Sequence, residues 1–132
     1  MSDYLPIAPT VDAESRPFYD AAAKGRFLLR QCRNCGKSHW HPRSLCPFCF
    51  GETDWIEASG QGEIYSFSTM RRAEPPYAIA YVKLAEGPVM LTNIVGTPFD
   101  KIKVGGKVAI KFVAAANGGV HVPCFEVVDA SV

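Results

Sequence analysis

No stretch of this sequence approaches the roughly 18 consecutive apolar residues that a membrane-spanning helix requires. The first twenty residues have no apolar run and carry Asp3, Asp12, Glu14 and Asp20, so no signal peptide is expected. A cytoplasmic location follows, where thiols stay reduced and disulfides are rare. Net charge is nearly absent too, at +1, which argues against a generic DNA-coating protein. The chain has no HExxH, no GxSxG and no phosphate-binding glycine loop, no low-complexity tract, and no internal repeat beyond one pair of cysteine motifs. Acidic residues are missing from Ala21 to Gly51, a span holding Lys24, Arg26, Arg30, Arg33, Lys37 and Arg43. Part of that positive charge offsets bound thiolates, and the excess is open to a partner or a phosphate-bearing ligand.

What is present is concentrated in "CRNCGKSHWHPRSLCPFC", which holds four of the five cysteines: Cys32, Cys35, Cys46 and Cys49. Two residues between thiolates let a tight turn aim both sulfurs at one ion. Two such knuckles supply the tetrahedral four-sulfur shell that zinc prefers. Gly36 suits the positive φ of the first turn, and Pro47 stiffens the second. A redox CxxC needs no second copy. Iron in a rubredoxin-like site uses the same four ligands and stays open. His39 and His41 lie between the pairs and are expected on the hairpin surface rather than on the metal. A closed shell leaves no position for water, so the metal is expected to be structural.

Hydrophobic residues make up 48% of the 132, enough for a real core. Ser15 is placed to cap a helix through "FYDAAAK", with Pro17 in its first turn, Gly25 as its stop, and Phe18, Ala22 and Tyr19 as its stripe. "RFLLRQ" reads as a strand into the first knuckle. Beyond Gly51 the pattern turns all-β, with strands expected in "TDWIEAS", "EIYSFSTMRR", "YAIAYVKLAE", "VMLTNIVG", "KVAIKFV" and "GGVHVPCFEVV" and no further helix. The fold class is therefore mainly β. Residues 1–25 are a lead and helix, 26–51 a rubredoxin-like zinc ribbon, and 52–132 a five-stranded OB-fold barrel. In "YAIAYVKL", Tyr77, Ile79, Tyr81 and Lys83 share one face and Ala78, Ala80, Val82 and Leu84 the other. The expectation places the aromatics in the core; the alternative is an exposed face that stacks a ligand.

No catalytic set emerges. Cys124 and His121 are three apart in a strand, so they point to opposite faces, and a buried inert thiol is expected. Arg71 and Arg72, beside Pro75–Pro76, either clamp a phosphate or edge a solvated loop.

The segments "FYDAAAKGRFLLRQCRNCG", "HPRSLCPFC", "ASGQGEIYSFS", "PPYAIAYVKLAEGPVMLTNIVG" and "KVGGKVAIKF" resemble, over nearly the whole chain, the family that joins a rubredoxin-like zinc ribbon to an OB fold, catalogued as domain of unknown function thirty-five. One departure is Phe50, where that family usually has glycine straight after the fourth cysteine. The resemblance implies a non-catalytic small subunit, in a hetero-oligomer with a thiolase, a thiolase-like condensing enzyme or an acyl-CoA hydratase. The thiolase-like partner would carry the nucleophilic cysteine, and the small subunit would serve assembly and help enclose coenzyme A or an acyl-CoA. Arg71, Arg72 and Lys83 are the candidates for the coenzyme's phosphates. Two other readings stay open: a module for single-stranded nucleic acid, against which the near-neutral charge speaks, and an independent acyl-CoA hydrolase or hydratase.

Overall fold

The computed structural model describes residue 6 and residues 11–40, 43–115 and 120–128. The chain enters through one short helix, α1 (Arg16–Ala22), with Pro17 in its first turn. The expected cap is shifted. Ser15 forms no side-chain cap at the helix start. It is instead the far end of a reciprocal pair one turn earlier: the Ser15 N–H donates to Asp12 Oδ1 at 2.8 Å, and the Asp12 N–H donates to Ser15 Oγ at 3.2 Å. This is the geometry of a capping box, which satisfies two backbone donors at once. Phe18, Tyr19, Ala21 and Ala22 are buried. So short a helix holds only through such packing.

Three strands build the ribbon: β1 (Leu28–Cys32), β2 (Ser38–His39) and β3 (Thr53–Glu57), in the order β2-β1-β3. All pairings are antiparallel, with Arg30 opposite both His39 and Trp55. β3 thus pairs with the ribbon, although residues 52–132 were expected to form the barrel unit. The chain leaves the ribbon sheet only after Glu57.

The remaining strands close a five-stranded barrel: β4 (Gln61–Met70), β5 (Tyr77–Leu84), β6 (Val89–Ile94), β7 (Lys107–Ala114) and β8 (His121–Val127). Their circular order is β4-β5-β6-β8-β7, with β6 and β8 parallel at Ile94 and Phe125. That order and that one parallel contact make it an OB fold. A bulge between Ile64 and Ser66 bends the long β4, whose start pairs with β7 while its whole length follows β5. One 3₁₀ turn, Phe99–Lys101, sits between β6 and β7, where no helical turn was expected. Among the described residues no helix is long and apolar enough to cross a membrane.

The two faces of β5 are the reverse of the expectation. Ala78, Ala80, Val82 and Leu84 are buried, whereas Tyr81 and Lys83 are exposed and Tyr77 and Ile79 only partly covered. Volume explains the inversion. A five-stranded barrel has a narrow bore, and Phe125, Met90, Ile94 and Ile64 already fill it from other strands. β5 must then present small residues inward, and Ala78 lies directly opposite Ile94.

Ribbon and barrel share one core. Phe27, just before β1, is buried and meets Phe18 at 6.0 Å and Trp40 at 6.4 Å on one side. On the other it meets Phe112 at 6.2 Å and Phe125 at 6.3 Å, both barrel residues. α1, the ribbon and the barrel are pinned together at this ring.

Candidate metal centre and docking face

β1 delivers Cys32 at its last position, and the turn beyond it delivers Cys35; the loop between β2 and β3 delivers Cys46 and Cys49. The four Sγ atoms all lie within 4.8 Å of one another. Cys32 and Cys49 Sγ are 3.5 Å apart, and Cys35 and Cys46 Sγ 3.7 Å. A tetrahedron with Zn–S near 2.3 Å has edges of about 3.8 Å, so the donors fit a zinc-sized ion. The knuckles are wrapped by amide donors. The backbone N–H groups of Asn34 and Cys35 each donate to Cys32 Sγ at 3.3 Å, and that of Phe48 donates to Cys46 Sγ at 3.4 Å.

Electrostatics call for a cation. The Cys35 N–H, joined by that of Asn34, holds the Cys32 thiol down to about 6. Cys35 is pushed up to about 11: the backbone N–H of Lys37 pulls it down, but burial and the sulfurs of Cys32, Cys46 and Cys49 outweigh that pull. Four sulfurs this close cannot all ionise alone, and a divalent ion removes the conflict. With four protein ligands the shell is closed, so the metal is structural.

Both knuckles end in the left-handed conformation, the first on glycine and the second on a bulky side chain. Gly36 follows Cys35 with φ +76°, and Phe50 follows Cys49 with φ +64°. A side chain in this left-handed region costs about 1–2 kcal/mol, and Phe50 is 79% exposed, so little packing offsets it. The expected departure at Phe50 is therefore a strained position on a metal loop.

His39 is not on the surface. It is buried at the end of β2, where its Nε2 accepts the Arg43 N–H at 3.2 Å, and it is not among the metal-ligating cluster. The β2–β1 pairing tucks this ring beneath the returning loop, and burial lowers its pKa. His41 lies outside the described residues.

Most of the basic run from Ala21 to Gly51 is consumed within the fold. Arg33 reaches Asp54 at 2.7 Å and Glu52 at 2.9 Å, Arg26 reaches Glu57 at 3.1 Å, and Arg43 reaches Glu14 at 3.5 Å. Arg30 lies 4.7 Å over the Trp55 ring and donates to Thr53 Oγ1 at 2.9 Å. Asp54 and Glu57 of β3, with Glu52 just before it and Glu14 before α1, supply the counter-charges that the run itself lacks.

Arg71 and Arg72 follow β4 in an exposed turn, with the Arg71 guanidinium 5.1 Å over the Phe99 ring. Lys83 is elsewhere. β5 pairs Tyr77 with Met70 at the arginine end and Lys83 with Glu63 at the other. Six residues of strand separate them, about 20 Å. The three cations do not converge. Lys83 instead borders a shallow hollow beside the Lys107–Glu63 ion pair. Cys124 is fully buried on β8 opposite Lys111, and burial pushes its thiol up to about 12; His121 pairs opposite Ala114. This pair forms no nucleophile and base.

A group of exposed apolar residues lies outside the barrel on β4, β5 and β6. Tyr81 (48% exposed) stands opposite Leu91 (54%), flanked by Val89, Ile79 and, at the β4 bulge, Tyr65 (65%). A cleft of about 150 Å³ runs through it, lined by Ser66, Phe67, Ser68, Ile79, Tyr81 and Leu91. Inverting the β5 expectation is what reveals this face, and the alternating pattern alone could not have chosen between the two.

Comparison with known proteins agrees with this architecture. Residues 20–55 match the ChsH2 rubredoxin-like zinc ribbon domain, and residues 55–113 match the ChsH2 C-terminal OB-fold domain. A probable enoyl-CoA hydratase alpha subunit of Thermomonospora curvata is 32% identical over 81% of this chain and 35% of its own length. A DUF35 domain-containing scaffold protein of Methanothermobacter thermautotrophicus is 31% identical over 62% of this chain and 68% of its own; one from Methanocaldococcus jannaschii is 31% identical over 62% and 64%. The chain thus spans about a third of the first relative and just under two thirds of the last. A solved Ltp2-ChsH2(DUF35) aldolase chain superposes with a TM-score of 0.77 at 29% identity, covering 91% of this chain and 98% of that one. The chain belongs to the DUF35 family, with its ChsH2-type zinc ribbon and OB fold.

Proposed function

We propose that this DUF35 family member is a non-catalytic, zinc-bearing cytoplasmic subunit that docks onto a thiolase-type or other acyl-CoA-processing enzyme. The exposed β4–β5–β6 face carries the reading. Contiguous apolar surface around Tyr81 and Leu91 marks an interaction site, and nothing in the described fold covers it. One relative's name, a probable enoyl-CoA hydratase alpha subunit, supports an acyl-CoA enzyme as the companion, and the scaffold-protein names support an assembly role. The nucleophile or base would be the partner's, since Cys124 is buried and protonated. Arg71, which lies over Phe99, and Arg72 beside it would meet the phosphates of a coenzyme A bound between this subunit and its partner. Lys83 is too distant to act on the same phosphate group.

Co-expression with the thiolase-type or hydratase-type subunit tests this directly. Tyr81→Glu and Leu91→Glu should leave the monomer folded, abolish co-purification, and lower acyl-CoA turnover by the partner. Co-purification unchanged in both variants, or turnover by the isolated chain, would overturn the proposal. Loss of coenzyme A affinity in Arg71→Ala/Arg72→Ala, with assembly intact, would support the phosphate role.

A further inference from the structure

The four sulfurs of the metal centre are not equivalent. Cys32 and Cys46 are buried, whereas Cys35 and Cys49 reach solvent, Cys35 the more fully. Backbone N–H groups donate to Cys32 and Cys46 at 3.3–3.4 Å. Cys49 Sγ has no backbone donor among the described hydrogen bonds; it meets the Asn34 side-chain amide at 3.9 Å and Cys32 Sγ at 3.5 Å. Donated N–H bonds spread thiolate charge and blunt its nucleophilicity, so Cys49, with no backbone donor among the described hydrogen bonds, combines weak hydrogen bonding with solvent access. Cys49 is also followed by Phe50 in its left-handed conformation, a strain that opening the knuckle relieves. Cys35 is followed by Gly36, which holds the same conformation freely.

We infer that Cys49 is the labile ligand of the centre and a modification site for hydrogen peroxide and small hydroperoxides, with Cys32 as its resolving thiol. The Cys49 thiolate attacks one peroxide oxygen, the O–O bond breaks, and hydroxide leaves, giving the sulfenic acid. The Cys32 thiolate, with its Sγ 3.5 Å away, attacks the sulfenic sulfur. An S–S bond forms, the second hydroxide leaves, and the two sulfurs have together given two electrons to the peroxide. The disulfide would leave only Cys35 and Cys46 to hold a bound ion, which would then be released as the second knuckle unhooks. This goes beyond the docking role and does not depend on it.

The zinc-loaded full chain is treated with hydrogen peroxide while a chromogenic chelator follows zinc release and peptide mass spectrometry follows the thiols. The expected result is a first disulfide between Cys32 and Cys49, one zinc released per disulfide, and Cys124 still reduced. Phe50→Gly keeps every ligand and should slow release about fivefold by relieving the strain. First oxidation at Cys35 or Cys124, a disulfide within one knuckle, or an unchanged release rate in Phe50→Gly would each overturn the inference.

Discussion

Phe27→Ala tests whether ribbon and barrel are one cooperative body. The ring is buried and meets four aromatic neighbours with centroids 6.0–6.4 Å away, two on the helix and ribbon side and two in the barrel. Deleting a buried phenyl group costs about 3–5 kcal/mol once transfer and cavity are both counted. Lost edge-to-face contacts, each about 0.5–1.5 kcal/mol, favour the upper half of that range. A protein of this size has roughly 5–15 kcal/mol in total. With a urea slope of about 2 kcal/mol per molar, the midpoint should fall by roughly 2 M while the slope stays unchanged. Tryptophan fluorescence reports the ribbon, through Trp40 and Trp55, and far-ultraviolet circular dichroism reports the barrel. Both signals should move together. A loss below about 1 kcal/mol, or a biphasic curve with the barrel transition unmoved, would refute a shared core.

Gly62→Ala should also destabilise. A Cβ there would sit 2.7 Å from the Lys83 carbonyl oxygen and 2.8 Å from Val82 Cγ1, so the β4–β5 pairing must shift. An overpacking cost of about 1–3 kcal/mol should lower the melting temperature by several degrees in calorimetry. Cys124 should resist a thiol reagent at pH 8 in the folded protein, because its thiol is pushed up to about 12, and should react fully once urea is added. Zinc retention should fall with acid. Cys32 is held at about 6, below the ordinary 9, so its contribution is present above the ordinary value and lost as pH falls through about 6. Bound metal competes with protons and moves release lower still. A retention profile that is flat from pH 8 to pH 3, measured after desalting, would contradict this.

The metal site was legible in the sequence because its chemistry is local: Cys32, Cys35, Cys46 and Cys49 declare their ligand geometry by spacing alone. The barrel strands were legible for a similar reason, since alternation is a property of each segment. What alternation omits is sign. It groups Tyr81 with Lys83 and Ala80 with Val82, but which group faces inward depends on how much room Phe125 and Met90 leave, and those residues come from other strands. The allegiance of β3 was hidden because pairing with β1 is a long-range choice between two adjacent sheets. His39 was misplaced because a polar residue in a hairpin reads as exposed until the loop that covers it is known. Phe50 was visible as an oddity, but its strain lies in a dihedral angle that residue type does not state.

The fate of the basic run decides what kind of association to expect. Arg26, Arg33 and Arg43 each have an acidic partner in or beside the ribbon, and Arg30 is stacked on Trp55, so they present little unbalanced charge to a companion. The face proposed for docking is apolar, centred on Tyr81 and Leu91. Apolar burial is barely screened by salt, whereas exposed charge pairs beyond a Debye length are largely screened. Affinity for the proposed acyl-CoA enzyme partner should therefore change by no more than about threefold between 50 and 500 mM salt. Neutralising six phosphates of a nucleic acid would instead lose on the order of a thousandfold between 50 and 200 mM. Isothermal titration across that salt range separates the two. A steep loss of affinity would mean that the ribbon's ion pairs open to meet the partner, and the assignment of docking to the barrel face would fall with it.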